Sequence, residues 1–371
     1  MKTLLTLITV IFLGFHLTAQ QFESSTYING VQRDYITYLP TNFDPQTESL
    51  PLVVVYHGLT QTNDILTLAG FNQIADTARL IIMYPQGLEN DFNQTAWNNG
   101  TGLSPVADDI GFTNFMLDTA ALAYNIDISK TYAVGVSMGS IMCYTLACNL
   151  NDRFAAIGAV FGPMSTQDMN TCTPSYSTPI IHFHGTNDQT VPYNTNPLPT
   201  LTLATETINW WENQKNCNGS CDSTRVNEIA QDNLTPDRFG YQGCDDDGSL
   251  EHWRTNGGDH DYYITPINDF THFVEVWNFI RKWEHPNARN TASIVEETPT
   301  DFNIYPNPAS STINISTSAN TFTLSIIDMQ GKSIGSFENA HQLDLSKLTP
   351  GAYIIQMQSG KELVRKQFFV Q

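Results

Sequence analysis

The stretch that most narrows what this chain can fold into runs Thr131-Tyr-Ala-Val-Gly135-Val-Ser137-Met-Gly139-Ser-Ile-Met-Cys-Tyr-Thr-Leu-Ala-Cys148. Thr131 to Val136 is apolar and β-prone, and Ile141 to Leu150 is helix-prone, so a strand must turn sharply into a helix at Ser137. Glycines two residues before and two after the serine let strand and helix approach while Ser137 occupies a strained turn with its hydroxyl exposed. The helix that follows points its N-terminus at any oxyanion formed beside that hydroxyl. The context therefore predicts a nucleophile elbow.

The rest of the first 286 residues has the rhythm such a turn needs. Leu52 to Tyr56, Leu80 to Tyr84, Phe154 to Val160 and Pro179 to His184 are short apolar runs, the mark of strands buried on both faces of a parallel sheet. Helical patterns fall between and after them: Asn63 to Arg79, the segment following Asp108-Asp109, Thr202 to Gln214 and Asn268 to Trp283. Both carboxylates of Asp108-Asp109 are read as caps of their helix. Thr26 to Tyr38 reads as a hairpin turning at Asn29-Gly30, and Arg238 to Trp253 as polar-interrupted strands. Together these predict an α/β fold with a doubly wound, mostly parallel sheet. Past a polar stretch the tail alternates at 312–316, 322–328, 342–345, 352–357 and 363–370, which predicts a small all-β sandwich. The expected division is a signal peptide at 1–20, a catalytic domain at 21–286, a linker at 287–300 and the β-sandwich at 301–371.

The leader follows from Lys2, an apolar core from Leu4 to Leu17 and a small-residue cleavage site; the core is too short for a convincing membrane span. With 37 acidic against 17 basic residues the net charge is −20, which repels phosphate backbones and anionic lipid. Nucleic acid and membrane surfaces are thereby disfavoured as partners. Six cysteines in an exported chain suggest disulfides, first Cys217 with Cys244 and then Cys148 with Cys172, while Cys143 reads as a small buried hydrophobe. Cys217 and Cys221 have a metal-like spacing but no paired histidines, and Asp245 to Asp247 reads as a solvated loop rather than a calcium site. No metal or cofactor is expected.

An activated serine needs a base, and the base needs an orienting carboxylate. Asp188 lies in the turn after the 179–184 strand, where that acid belongs, and His260 lies in the glycine-containing loop Asn256-Gly-Gly-Asp-His260. His252, inside a strand, and His272, on an apolar helix face, are the competing bases; such a histidine more often serves the core. Backbone N–H groups of Leu59 and Met138 are the expected oxyanion donors. Trp97, Tyr193, Tyr262 and Tyr263 are expected at the substrate lip.

These residues resemble the secreted α/β-hydrolase esterases that include polyhydroxybutyrate depolymerases, feruloyl esterases and acetyl xylan esterases. The resemblance covers about residues 24 to 284. It rests on Arg33-x-Tyr35, Pro51 through Gly58, Trp97-Asn-Asn-Gly100, Asp108-Asp109-Ile-Gly-Phe112, Gly135-Val-Ser137-Met-Gly139, Arg153-Phe-Ala-Ala156, His184-Gly-Thr-Asn-Asp188, Val191-Pro-Tyr193 and Gly257-Gly-Asp-His260. It implies the same triad and oxyanion donors, acting on a carboxylic ester that is polymeric or linked to a polysaccharide. The chain departs where the family often has cysteine in place of Leu59, and Gly-His-x-Trp-Pro in place of Asp259-His-Asp-Tyr-Tyr263. Residues 301 to 371 resemble the C-terminal sorting domain of the type IX secretion system, through Tyr305-Pro-Asn-Pro308 and Leu348-Thr-Pro-Gly351-Ala-Tyr353. That implies the type IX machinery as a partner and a secreted or cell-surface location. The competing expectations are a serine peptidase of the prolyl oligopeptidase type and a non-catalytic carbohydrate-binding surface protein. The first wants a propeller-forming domain that no stretch suggests; the second leaves the filled triad positions unexplained.

Overall fold

The computed structural model describes residues 20–371 apart from 196–197, 227, 246–248, 287, 289–301, 329–331 and 361. The expected leader, except Gln20, most of the expected linker and the acidic turn after Asp245 lie outside the described residues.

Ten strands form one sheet. In chain order the first unit contains β1 (Gln20–Ile28), β2 (Val31–Leu39), β3 (Leu50–Tyr56), β4 (Ile81–Pro85), β5 (Leu88–Glu89), β6 (Thr95–Ala96), β7 (Ile126–Val136), β8 (Ala156–Val160), β9 (Ile180–Gly185), β10 (Cys221–Arg225), β11 (Thr235–Tyr241) and β12 (Leu250–Asn256). The sheet order is β1-β2-β4-β3-β7-β8-β9-β12-β11-β10, with β5 and β6 forming a separate two-stranded ribbon. The six central strands are parallel, and antiparallel strands extend both edges. The period-two alternation of a strand sends Leu52, Val54 and Tyr56 into one apolar layer and Val53 and Val55 into the other. Helices α3 (Asp109–Tyr124), α4 (Met138–Asn149) and α6 (Ala204–Gln214) cover the first layer; α2 (Phe71–Ala78) and α7 (His272–Ile280) cover the second. This is the doubly wound arrangement, and it carries the α/β-hydrolase sheet.

Some boundaries differ from the expectation. The helix expected over Asn63 to Arg79 is two, α1 (Asn63–Thr67) and α2, because Gly70 between them takes φ 104°. The edge strand β10 carries no apolar alternation and was not legible; all five of its residues are exposed. The short α5 (Thr166–Thr171) completes the set. Disulfides join Cys148 to Cys172 and Cys217 to Cys244, leaving Cys143 buried and Cys221 exposed as free thiols.

Asp108 and Asp109 were expected to share one capping role, and they divide instead. Asp108 caps α3 by accepting from Gly111 N. Asp109 is buried in an ion pair with Arg33 at 2.6 Å, and its second oxygen accepts Asn98 N, also at 2.6 Å. Removing one partner leaves a buried charge uncompensated, so Asp109→Ala is expected to cost about 3–5 kcal/mol in urea unfolding. A loss under 1 kcal/mol would mean that water reaches the Arg33 guanidinium.

The tail builds its own core around Ile313, Leu324, Ile355 and Phe368. Its strands are β13 (Asn303–Tyr305), β14 (Thr312–Ser316), β15 (Thr323–Asp328), β16 (Ser333–Glu338), β17 (Gln342–Asp344), β18 (Gly351–Ser359) and β19 (Glu362–Val370). They form two sheets, β13-β14-β17 and β16-β15-β18-β19, the small all-β unit expected, with β13 and β16 as additions.

Candidate active site

Ser137 sits between β7 and α4 with φ 55° and ψ −118°, a conformation a side-chain-bearing residue adopts only where its surroundings enforce it. The enforcement is visible in the flanking glycines. A Cβ on Gly135 would lie 2.0 Å from Gly139 O, and one on Gly139 would lie 2.1 Å from Tyr56 O. Ser137 N donates to Val160 O at 2.7 Å, which ties the turn to the neighbouring strand.

The serine opens into a cavity of about 490 Å³. Gly58, Leu59, Met138, Ser137 and His260 share its wall, and Leu103, Ile141, Phe161, Val191, Leu198 and Leu201 make it largely apolar. Asp188 lies behind His260. Its Oδ1 accepts the amides of Thr190 and Val191, both at 2.8 Å, and its Oδ2 accepts from His260 Nδ1 at 2.7 Å. Burial alone would raise this carboxyl; donors on His184 and His260 outweigh it and hold Asp188 below the usual carboxylate range. A carboxylate can only accept, so Nδ1 of His260 carries hydrogen and Nε2 is left as the basic nitrogen of the neutral ring.

The competing histidines are elsewhere. His272 is buried among Phe161, Phe183, Tyr263 and Phe270, takes Tyr263 N on its Nδ1 at 3.0 Å, and is pushed down to about 3 by burial. His252 sits in β12, likewise buried and pushed down to about 3. Asp259, beside His260 in sequence, turns its Oδ1 onto the amides of Gln189 and His260 and so clips the loop of His260 to the loop of Asp188.

Three of the four expected lip residues are not at the lip. Trp97 is fully buried and donates Nε1–H to His57 O at 2.8 Å. Tyr193 is buried, with its hydroxyl on His252 Nε2 at 3.0 Å. Both were read as exposed because their sequence neighbours are polar, whereas strands distant in sequence cover them. Tyr263 is also buried. Tyr262 does line the cavity and is partly exposed.

The structure adds supports for the Leu59 and Met138 loops that the sequence left unassigned. His57 is pushed down to about 4 by burial, and its neutral ring donates Nδ1–H to Gly58 O at 2.7 Å while Nε2 accepts Gly87 N at 2.9 Å. Asn99 donates to Met138 O at 3.1 Å. Trp97 and Asn99, two residues apart, thus hold both chain segments expected to supply oxyanion donors; Asn98 between them is held by Asp109. Only the compact Trp-Asn-Asn-Gly pattern signalled this loop. Among the described residues no group of three or more His, Cys, Asp and Glu is placed to hold a metal.

Comparison with known proteins agrees with this architecture. Residues 303–371 match the secretion system C-terminal sorting domain, which marks the chain for export to the cell surface or beyond. A bifunctional acetylxylan esterase/xylanase of Neocallimastix patriciarum is 25% identical over 259 residues, 68% of this chain and 34% of its own. Feruloyl esterase B of Piromyces equi is 30% identical over 171 residues, 44% of this chain and 30% of its own. A poly(3-hydroxybutyrate) depolymerase of Ralstonia pickettii is 30% identical over 160 residues, 39% of this chain and 32% of its own. The chain therefore spans about a third of the length of these relatives. In fold it is similar to the acetyl xylan esterase from Aspergillus awamori, with a TM-score of 0.52 at 16% identity over 70% of this chain and 99% of that one. A family match at residues 25–251 runs from the first hairpin into β12, more than half of the chain, and by it this protein belongs to the Esterase family.

Proposed function

We propose that the protein is a secreted serine esterase that cleaves carboxylic esters through an acyl-enzyme. Ser137 attacks the ester carbonyl, and Nε2 of His260 takes its proton and returns it to the leaving alcohol. Water then repeats the sequence on the acyl-enzyme, with His260 again as base. Asp188 fixes the tautomer and orientation of His260 and stabilises the imidazolium formed in each step. N–H groups of Leu59 and Met138 receive the negative charge that develops on the carbonyl oxygen. The observation that carries this reading is the 2.7 Å bond from His260 to Asp188, made by a histidine that shares the Ser137 cavity.

The apolar wall, with Tyr262 at its rim, favours an acyl or aryl group over a charged one. Esters of the polyhydroxyalkanoate, feruloyl and acetyl-polysaccharide type, the substrates suggested by the relatives' names, are the reading's substrate classes. The division proposed is a catalytic domain over 21–286 and a sorting domain over 301–371 that engages the type IX machinery. A fluorophosphonate is expected to label the protein stoichiometrically at Ser137, and a short-chain nitrophenyl ester to turn over at least a hundredfold faster than the matching anilide. Labelling at another residue, or faster amide cleavage, would defeat the proposal.

A further inference from the structure

A buried polar chain runs behind the acid. Tyr144, two turns into α4 from Ser137, places its hydroxyl 2.8 Å from His182 Nδ1. His182 Nε2 lies 3.3 Å from His184 Nδ1, and His184 Nε2 lies 2.7 Å from Val191 O and 3.4 Å from Asp188 Oδ2. Tyr144, His182 and His184 are all buried.

The direction of this chain is fixed from both ends. At one end Val191 O and Asp188 Oδ2 can only accept, so His184 Nε2 carries hydrogen. At the other, His182 Nδ1 is the partner of the Tyr144 hydroxyl, and burial keeps that hydroxyl protonated. If Tyr144 accepted instead, its own hydrogen would be buried without an acceptor among the described residues. Tyr144 therefore donates to Nδ1 of His182. Burial also keeps His182 neutral, so its single hydrogen sits on Nε2 and points at His184 Nδ1. Both ends demand the same order of donors, which ends on the turn Asp188–Val191 whose amides grip the carboxylate.

We infer that His184 is a positioning residue for Asp188, the last member of a one-way relay from Tyr144 through His182 that ties the nucleophile's helix to the acid's turn. The inference rests on the triad reading above and extends it to a residue that touches no substrate. His184 anchors the Val191 carbonyl, and through it the two amides that fix Oδ1, while its N–H also faces Oδ2. Without that anchor the turn is free to rotate and His260 loses its alignment with Ser137.

The test has two parts. Nitrogen-15 spectra of histidine-labelled protein are expected to show His182 and His184 as neutral Nε2–H tautomers; an Nδ1–H tautomer at His184 would overturn the relay whatever the enzyme's activity. His184→Leu is expected to lower kcat about 10–100-fold with KM within about twofold, as a small misalignment of a triad does. His184→Gln, which keeps an N–H at the ε position, should recover all but about fivefold of kcat. In an Asp188→Asn background His184→Leu should add less than about twofold, since the two act as one unit. Equal losses in the Leu and Gln variants, or a full further loss in that background, would reduce His184 to a packing residue. Tyr144→Phe, which preserves volume, serves if His184→Leu does not fold: a fall in kcat of about two- to fivefold supports the relay, and unchanged kcat overturns it. Full activity in Ser137→Ala would instead remove the triad reading and leave the tautomers to be judged separately.

Discussion

Ser137→Ala is expected to lower kcat on a nitrophenyl ester by about 10⁶-fold while leaving the unfolding midpoint near that of the parent. The loss is large because the proposed mechanism forms the acyl-enzyme on this hydroxyl, and the other aliphatic hydroxyls of the described cavity wall, on Thr60, Thr101 and Thr190, do not sit on the strand-to-helix turn. His260→Ala should be comparable, whereas Asp188→Asn should cost about 10⁴-fold, because the amide leaves the ring in place but favours the wrong tautomer. These effects will not add. Combining Ser137→Ala with His260→Ala should lose little beyond either alone, and the residual rate over water should come from the Leu59 and Met138 donors and from binding. The fold should survive the serine change, since Ser137 is held through its backbone bond to Val160 O. Relief of φ 55° is not available to alanine either, so no stabilisation is expected. Measured kcat within tenfold of the parent would show that another group makes the covalent bond.

How much of this was legible follows from how local each signal is. The elbow, the buried strands and the hairpin at Asn29-Gly30 are written in consecutive residues, because φ > 0 turns and period-two burial are decided within a few positions. The pairing of Asp188 with His260 was legible because each follows a strand end in a loop with turn-forming residues. What was missed depends on contacts between distant segments. Trp97 and Tyr193 lie in polar stretches, and only the packing of His57 and His252 around them makes them interior. Asp109 looked like its neighbour Asp108 until Arg33, far away in the first hairpin, met it. Likewise His182 and His184 read as ordinary strand residues. Their alternation in β9 puts both rings on one face, and it takes Tyr144 from α4 and the 188–191 turn to give them a direction.

The same buried imidazoles set how the protein responds to acid. His57 is pushed down to about 4, His252 and His272 to about 3, and His182 well below the ordinary histidine value, all by burial. An unfolded chain titrates its histidines near 6.5, so between about pH 6.5 and pH 4 the unfolded state binds protons that the native state refuses. The stability these four contribute is fully present above about 6.5 and is lost as pH falls toward their native values. Each can cost up to about 1.4 kcal/mol per pH unit, so at pH 5 the four together can remove up to about 8 kcal/mol, comparable with the whole stability of an ordinary domain. Asp188, held low by its donors, keeps its contribution until pH falls below the usual carboxylate range and so adds to the loss only later. Asp168, raised by burial, works in the opposite sense and offsets part of it. Urea midpoints are therefore expected to fall steeply between pH 7 and pH 5, with an uptake of about three to four protons on unfolding near pH 5. Replacing His272 by phenylalanine should remove about one proton from that uptake. A midpoint flat between pH 7 and pH 5 would mean that these rings are charged or solvated in the native protein, and the packing described around them would have to be wrong.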